Sequence, residues 1–394
     1  MQSQRDYVFT FSYETYSDAR ARGMMRPPDR LLSTLMRADR SRRLLVANPY
    51  RWAPSAVARR VVERSIFPTS DSRRLVTPLR AVRSDPVDLD GVSRSYRNYA
   101  GTLDRESSRM GLESPSVMTT NPLVAGFGEF DWADDVTYYG RDDWLSSPAR
   151  QQYWPAYKAA YQRIADQGML VAAVSQEIID RIAPTGNHAV VPNGVEPAEW
   201  SGAPATPPAW FDSIPGPRAV YVGTIDSRLD IDGIVTLASA KPELQIVLVG
   251  PLVDRPLLVP LRGLPNVTVR DYVGRSEVVA VLRSAELCLV AHRRTELTAA
   301  MSPLKLYEYL AAGAPVISID LPPVRGLGDR VFLVDSVGDF ADVADAALAS
   351  GPATEKDRLA FVTSNSWQAR HEIILGLRNG AHASPPDSNG KAPD

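Results

Sequence analysis

The residues best suited to chemistry lie close together, in Ser302-Pro303-Leu304-Lys305 and at Glu308, one helical turn further on. Ser302 suits a helix N-cap, Pro303 suits the first helical position, and Gly313 suits the residue after the helix. The amino end of such a helix offers unpaired N–H groups and partial positive charge, to which Lys305 adds a full charge. Glu308 can accept hydrogen bonds from the two hydroxyls of a ribose. The spacing therefore predicts a diphosphate site, with an ordinary capped helix carrying a Lys–Glu pair as the alternative.

The elements around this helix alternate in type, which is typical of parallel sheets covered by helices. Helices are predicted at 28–36, 150–165, 354–361 and 367–378, between short apolar runs that predict strands. Those strands are expected at 7–11, 43–47, 116–119, 136–139, 170–174, 219–222, 245–249, 267–269, 287–290, 315–319 and 331–334.

A proline-rich stretch, 197–217, interrupts this alternation and is predicted to be a linker. It separates an N-terminal domain, 1–196, from a C-terminal domain, 218–380. The tail 381–394 is rich in Pro, Ser, Gly and charge and is predicted to be disordered. The fold class is α/β, with two doubly wound Rossmann-like domains facing across a cleft that holds the ligand.

The composition excludes several classes of protein. Hydrophobic residues make up 44% and charged residues 23% of the 394 residues, which argues against a disordered or fibrous chain. The single cysteine, Cys288, excludes a disulfide scaffold, a zinc finger and an iron–sulfur site. No apolar run approaches the roughly 18 residues that a membrane span needs. We expect a cytoplasmic protein without a signal peptide.

The charge is unevenly distributed along the chain. Residues 1–110 carry 21 arginines and no lysine against 12 acidic residues, which gives this part a net charge of +9. Because the whole chain has a net charge of −2, the remaining residues carry −11. A basic N-terminal domain suits an anionic partner, such as a membrane surface touched peripherally or a phosphorylated acceptor. A solvated arginine-rich surface is the equal alternative. Nucleic acid is not expected, because no reader motif accompanies the charge.

Four segments together resemble a known family. Residues 302–316 are similar to the donor-binding helix of family-4-type glycosyltransferases with the GT-B fold, of the bacterial branch that makes cell-envelope glycans. Val174-Ser175 with 191–195 resembles the end of that family's N-terminal domain. Residues 221–224 with 248–251 resemble the start of its C-terminal domain, and 139–144 a segment that points at the sugar.

The resemblance implies transfer of a sugar from a nucleoside diphosphate, usually with retention of configuration and without a metal or other cofactor. Its donor site carries over to eleven positions: Gly223, Thr224, Arg228, Asp271, Tyr272, Val273, Arg293, Ser302, Leu304, Lys305 and Glu308. His292, just before the donor helix, is a further source of positive charge. Within this set, Ser302 and Lys305 would hold the diphosphate, Glu308 the ribose, and the backbone near Tyr272 the base. Glu308 is also expected to be catalytic.

The sequence departs from the family pattern at two places. Many members carry a further glutamate eight residues before the ribose-binding one, where this chain has Ala300; Glu296 lies four residues earlier. A lysine expected after the first C-domain strand is replaced near Asp232. These departures leave the donor sugar open, and Ala300 motivates the alternative of a non-catalytic subunit that binds nucleotide sugar. An epimerase or a phosphorylase on the same fold is a further alternative.

The acceptor side rests on two loops of the N-terminal domain. Asp142 and Asp143 are candidates to touch the reacting sugar or the acceptor hydroxyl, with a solvated loop or a helix cap as the alternative. Tyr13, Arg22 and Arg26 lie in the loop after the first strand and suit a sugar or an anionic lipid carrier. The acceptor is accordingly expected to be a glycan, a lipid-linked sugar or a small molecule.

Overall fold

The computed structural model describes residues 4–37, 39–53, 66–203 and 205–380, which form two compact units. The first unit holds the described residues up to Pro192 together with those from Arg370 onward. The second unit runs from Asn193 to Ala369. The tail predicted at 381–394 lies outside the described residues.

The first unit is built on a seven-stranded parallel sheet with the strand order β4-β2-β1-β6-β7-β8-β9. A separate parallel pair, β3 with β5, lies beyond the ends of β2 and β4 in the chain. The central strands are apolar and buried because helices cover both faces of such a sheet. The bounds of the strands are β1 Arg5–Thr10, β2 Ser41–Ala47, β3 Arg51–Trp52, β4 Arg73–Val76, β5 Leu79–Arg80, β6 Ser116–Thr119, β7 Asp135–Gly140, β8 Leu170–Ala173 and β9 His188–Val190.

The helices of this unit include one that the sequence reasoning did not predict, the 22-residue α3. Its apolar side chains recur at helical spacing and are buried at Val92, Tyr96, Tyr99 and Leu103, whereas arginines occupy much of its other face. The bounds are α1 Tyr16–Ala21, α2 Pro27–Leu35, α3 Leu89–Met110, α4 Pro122–Phe127, α5 Trp154–Asp166 and α6 Gln176–Ile182, with 3₁₀ turns at Pro148–Tyr153 and Leu377–Asn379.

The second unit repeats the architecture with six parallel strands in the order β12-β11-β10-β13-β14-β15. Each of these strands was predicted from the sequence to within one residue at either end. The two parallel sheets therefore confirm the α/β class with two Rossmann-like units. The bounds are β10 Arg218–Val222, β11 Gln245–Val249, β12 Val267–Arg270, β13 Leu287–Val290, β14 Val316–Ile319 and β15 Val331–Val334.

Helices cover the second sheet. Among the residues between 4 and 380 that the structure describes, no helix is long and apolar enough to cross a membrane. The bounds are α7 Pro197–Trp200, α8 Ala209–Asp212, α9 Ile231–Ala240, α10 Arg275–Arg283, α11 Glu296–Ala299, α12 Leu304–Ala312, α13 Phe340–Ala349, α14 Glu355–Ser364 and α15 Trp367–Gly376, with 3₁₀ turns at Arg255–Leu261, Pro322–Val324 and Val337–Asp339.

The predicted linker, 197–217, is instead an integral part of the second unit. Trp200 on α7 and Phe211 on α8 are fully buried in the apolar core of that unit. The guanidinium of Arg218 packs 4.4 Å from the ring centre of Phe211. Because two large aromatic side chains are removed from water here, the proline content of the stretch does not make it a free connection.

The domain predicted at 218–380 also ends too late, since α15 passes into the first unit at Arg370. His371 on this helix lies 2.7 Å, Nδ1 to Oγ1, from Thr34 on α2. Glu372 forms an ion pair with Arg40, which precedes β2. The last helix of the chain thus completes the first unit through contacts with residues more than 330 positions earlier in the sequence.

Candidate functional site

The donor residues predicted from the sequence meet where strand order reverses in the second sheet, between β10 and β13. Gly223 follows β10, His292 lies two residues after the end of β13, and Lys305 stands in the first turn of α12. Chains that leave two neighbouring parallel strands in opposite directions open a crevice at the carboxyl ends of those strands. Open α/β sheets bind ligands at this point.

The ammonium group of Lys305 is held in an aromatic enclosure. Its Nζ lies 3.0 Å from Nε2 of His292 and 3.9 Å from the ring centre of Tyr221, which is close enough for a cation–π contact. When Lys305 is protonated it can only donate, so Nε2 is then the acceptor and the imidazole proton lies on Nδ1. That Nδ1 is buried with no hydrogen-bond partner among the described residues.

Gly223 brings the backbone against this ammonium. A Cβ added at Gly223 would lie 2.7 Å from Nζ of Lys305, and the φ of Gly223 is +154°, a value that side-chain-bearing residues rarely adopt. Gly250, at the end of β11, is similarly constrained: a Cβ there would lie 2.1 Å from the carbonyl oxygen of Gly223. Both glycines belong to segments that resemble the known family, and at both positions the neighbouring atoms leave no room for a side chain.

Burial shifts the ionisation of both basic groups toward the neutral form. Burial, assisted by the positive charge of Arg228, lowers the pKa of Lys305 to about 7. The same causes, together with Lys305 itself, hold the pKa of His292 well below its usual value. The site is therefore a place where added negative charge, such as a diphosphate, would be stabilised by a lysine that regains its proton.

The start of α12 differs from the prediction by one residue. The helix begins at Leu304 with Pro303, at φ −75° and ψ 105°, in the N-cap position, so Ser302 is not the cap and Pro303 is not the first helical residue. Ser302 instead accepts from Asn193: Oγ from the backbone N–H at 3.3 Å and its carbonyl from Nδ2 at 2.7 Å. The predicted end is confirmed, because Gly313 is left-handed with φ +92°.

Glu308 lies in an ion-pair network that sequence reasoning missed. Nη1 of Arg275, the first residue of α10, lies 2.7 Å from Oε1 of Glu308, and the same guanidinium binds Glu199 on α7. Burial raises the pKa of Glu308, while the positive charge of Arg275 opposes that rise. No local pattern signals this contact, since Arg275 is 33 residues away in the chain.

The other donor candidates lie in less enclosed positions. Arg228 is partly exposed and holds Asp226 through Nη2–Oδ2 at 2.6 Å, and Arg293 is an exposed partner of Asp232 at 3.2 Å. Thr224 and Leu304 are partly exposed at the ends of β10 and α12. The positive charges of Arg228 and Arg293 are thus shared with neighbouring carboxylates.

The segment expected to meet the base is open to solvent. Tyr272 is 73% exposed, whereas Val273 is buried and Asp271 accepts from the backbone N–H of Tyr272. Ala300 is buried, and Glu296 is exposed at the start of α11. Glu296 is therefore not held in the enclosure around Lys305.

In the first unit, Arg141 joins two of the predicted acceptor-side residues. Its Nη2 donates to the hydroxyl of Tyr13 at 2.9 Å and lies 3.0 Å from Oδ2 of Asp142. Tyr13 is 40% exposed, and the Asp142 side chain is 44% exposed. Tyr13 and Asp142 thus share one accessible cluster although 128 positions separate Tyr13 from Arg141 in the chain.

Three other candidates in this unit are engaged internally. Asp143 is buried and lies 3.1 Å from Arg181, so it stands behind Asp142 rather than at the surface. Arg22 binds the buried carboxylate of Asp29 through two contacts of 2.7 Å. Arg26 is half exposed and pairs with Glu14. Their expected roles toward a substrate stay predictions.

Comparison with known proteins agrees with this geometry. Residues 216–350 match the family model described as "Glycosyl transferases group 1". The chain is 28% identical over 199 residues to the "Putative teichuronic acid biosynthesis glycosyltransferase TuaH" of Bacillus subtilis (strain 168), a match that covers 48% of this chain and 49% of that protein. By that match the chain spans about half the length of this curated relative.

Solved structures share the fold over nearly the whole chain. The sucrose-phosphate synthase of Thermosynechococcus elongatus is 16% identical, with a TM-score of 0.64 over 95% of this chain and 99% of that one. The E. coli structure described as "Trehalose-6-phosphate from E. coli bound with UDP-2-fluoro glucose" is 12% identical, with a TM-score of 0.62 over 94% and 99%. The expected resemblance to GT-B glycosyltransferases is confirmed; membership of family 4 stays a prediction.

Proposed function

We propose that this GT-B protein, whose residues 216–350 match a glycosyltransferase group 1 domain, transfers a sugar from a nucleoside diphosphate to an acceptor bound by its first unit. One observation carries the proposal: the ammonium of Lys305 lies beside Gly223, at the amino end of α12 and at the reversal point of the second sheet. A diphosphate placed there would meet Lys305, the first-turn N–H groups of α12 and the backbone near Gly223.

Chemistry at this site follows from the charge that develops as the donor breaks. When the bond from the sugar to the diphosphate is cleaved, negative charge accumulates on the leaving diphosphate. Lys305 would stabilise that charge, and removal of one such group commonly costs about 100-fold in rate. Glu308, oriented by Arg275, is the candidate to accept from the ribose hydroxyls.

We further propose a metal-independent, retaining reaction, in which the leaving diphosphate itself takes the proton of the acceptor hydroxyl. Among the described residues, no group of three or more His, Cys, Asp or Glu side chains is placed to hold a metal ion. The acceptor class proposed first is a cell-envelope glycan, because the Bacillus relative is named for teichuronic acid biosynthesis. A UDP sugar is the first donor to test, since the E. coli structure is described with UDP-2-fluoro glucose.

The decisive experiment follows free nucleoside diphosphate with UDP-glucose and other sugar nucleotides, with and without acceptor glycans, in the presence of excess EDTA. Acceptor-dependent release that survives EDTA is expected, and NMR of the product should show the donor's anomeric configuration. A changed sugar still attached to the nucleotide would indicate an epimerase, and release that requires orthophosphate a phosphorylase.

Binding without turnover is the second candidate, favoured by the buried Ala300 at the position where many resembling enzymes have a glutamate. Nucleotide binding by calorimetry, with no product formed from any acceptor, would support that alternative. Absence of nucleotide binding at millimolar concentration would contradict both.

A further inference from the structure

A cavity of about 660 Å³ opens inside the first unit, in the range of small-molecule sites. Residues that follow β1, β2, β4 and β6, among them Ser12, Thr77 and Asn121, contribute to its walls. The sheet reverses its strand order between β1 and β6, where Oγ of Ser12 donates to the carbonyl of Thr120 at 2.7 Å. The cavity therefore occupies the ligand-binding edge of this sheet.

The charge of the cavity wall is strongly positive. Arg51 on β3, Arg80 on β5, Arg83 and Arg150 all line it, and Asp85 is the one carboxylate among its described lining residues. Arg51 and Arg80 lie on the two adjacent strands of the small β3–β5 pair, one register position apart, with Trp52 directly opposite Arg80. Arg51 lies 3.8 Å from Asp18, and Arg80 pairs with Asp85, so the positive charges of Arg83 and Arg150 remain to favour an anionic ligand over a neutral one.

Two of these arginines are available to a ligand. Arg80 is already engaged, since it pairs with Asp85 and stacks 5.6 Å from the ring centre of Tyr50. Arg83 and Arg150 form no ion pair with any residue of the described ranges. An arginine without a carboxylate partner offers its planar fork to a carboxylate or a phosphate, both of which it binds through two parallel hydrogen bonds.

Aromatic side chains form another part of the wall. Tyr13, Trp52, Tyr96 and Tyr153 line the cavity, and the guanidinium of Arg150 lies over the ring of Tyr13 at 5.4 Å. Trp52 is 37% exposed and Tyr13 40%. A bare inorganic anion would gain nothing from contact with these aromatic rings. A sugar ring can pack its apolar face on an aromatic ring and form hydrogen bonds from its hydroxyls to the tyrosine oxygens.

We propose that this arginine- and tyrosine-lined cavity binds the acceptor, and that the acceptor is a saccharide carrying a carboxylate or a phosphate. The role of the ligand as an acceptor rests on the proposed function; the binding of an anionic saccharide rests on the cavity alone. The cavity also gives the basic N-terminal part of the sequence a specific use, because three of its arginines, Arg51, Arg80 and Arg83, line one opening.

The test uses the full chain and three probes: glucuronic acid, glucose 6-phosphate and glucose. Saturation-transfer NMR at low salt is expected to show binding of at least one anionic probe about tenfold tighter than glucose, a ratio that charge-assisted hydrogen bonds supply. Arg83→Gln and Arg150→Gln should each weaken that probe about tenfold. Arg109→Gln, which removes an exposed arginine of α3 outside the cavity, should leave it unchanged.

The ratio of the two anionic probes identifies the anion: preference for glucuronic acid indicates a carboxylate, and preference for glucose 6-phosphate a phosphate. Equal binding of all three probes, no binding of either anionic probe, or insensitivity to both arginine substitutions would overturn the proposal. UDP binding measured on the same samples separates the two conclusions. A protein that binds the anionic probe but no nucleotide contradicts the proposed function and leaves the ligand chemistry of the cavity standing.

Discussion

The guanidinium of Arg275 lies between the carboxylates of Glu308 and Glu199, with Nη1 2.7 Å from Oε1 of Glu308. It is also stacked 5.4 Å from the ring centre of the buried Trp200. One side chain thus ties together α7, α10 and α12 and sets the direction of the carboxylate proposed to bind ribose. The position of Glu308 depends on this contact as much as on its own helix.

Arg275→Gln should therefore weaken nucleotide binding and destabilise the second unit by about 2 kcal/mol, because Glu308 would lose the partner of its charge. Without that partner the pKa of Glu308 should rise further, since Arg275 opposes the effect of burial. Chemical denaturation and UDP titration measure the two effects. Arg275→Lys, which keeps the charge, should recover part of the stability, and Arg255→Gln, an exposed arginine, should change neither. Unchanged UDP affinity in Arg275→Gln would contradict the assignment of Glu308.

Lys305→Ala should lower acceptor-dependent release of nucleoside diphosphate by about 100-fold or more, because the leaving group loses its nearest cation. The fold should survive, since the lysine forms no described ion pair that its loss would break. Steady-state kinetics with circular dichroism on the same preparation checks both expectations. Lys356→Ala, on the exposed face of α14, is the matched control and should retain full activity. A Lys305→Ala enzyme with a normal rate would remove the basis of the donor site.

Nucleotide affinity should fall as the pH rises above about 7, the value to which burial lowers the pKa of Lys305. The sign follows from linkage: a bound diphosphate favours the protonated amine, so the complex holds a proton that the free protein releases above its pKa. Binding then takes up one proton, and Kd should increase by at most about tenfold per pH unit. Calorimetry in buffers of different ionisation enthalpy measures that uptake. In Lys305→Ala the uptake due to this group should vanish; persistence of the same uptake would assign it to another residue.

Gly223→Ala should weaken nucleotide binding by about tenfold, because a Cβ at this position would displace the Lys305 ammonium 2.7 Å away and adopt a φ that costs about 1–3 kcal/mol. Thermal unfolding separates the general strain from the specific effect on the lysine. Gly263→Ala is the matched control: its φ is +86°, and no atom lies within 4 Å of its added Cβ. Equal losses of UDP affinity in the two variants would show that strain alone, and not the displaced lysine, is responsible.

Trp200→Ala should destabilise the second unit by about 3–5 kcal/mol, because the side chain is fully buried in its core and leaves a cavity. This outcome distinguishes an integral segment from the linker expected on composition. Denaturant unfolding followed by tryptophan-independent circular dichroism is the measurement. Val253→Ala, a 69% exposed apolar residue of the same unit, should cost less than about 0.5 kcal/mol. A loss of similar size in both variants would restore the linker interpretation.

Periodicity predicted the central strands well because they are short apolar runs buried on both faces, as in β11, Gln245–Val249. It did not predict β4, Arg73–Val76, which begins with two arginines and is only partly buried. It missed α3 because arginines and serines dilute the apolar positions of that helix to one side chain per turn. The prolines of 197–217 predict a linker, but Trp200 and Phe211 of the same stretch are buried in the core of the second unit, and Trp210 packs against that core. Local composition reports the conformation of a segment but not the surface on which its aromatic residues pack.

The candidate site shows the same division. Gly223, Lys305 and Glu308 belong to segments that resemble a known family, so the sequence alone could name them as candidates. Arg275, Arg141 and Arg181 entered only through the fold, because each meets its partner across a gap that tertiary structure alone closes. The predicted N-cap, Ser302, instead accepts a hydrogen bond from Asn193, 109 positions earlier in the chain, and Pro303 takes the N-cap position.

The return of α15 to the first unit has a consequence for how the chain matures. Asn193–Ala369 is continuous, so this half can acquire its complete set of neighbours as soon as its own residues have left the ribosome. The first unit cannot be completed at that stage, because Arg370 and the residues that follow it belong to this unit and are synthesised after the second unit. The first unit is thus completed after the second, because His371 can meet Thr34 only once Asn193–Ala369 has been translated.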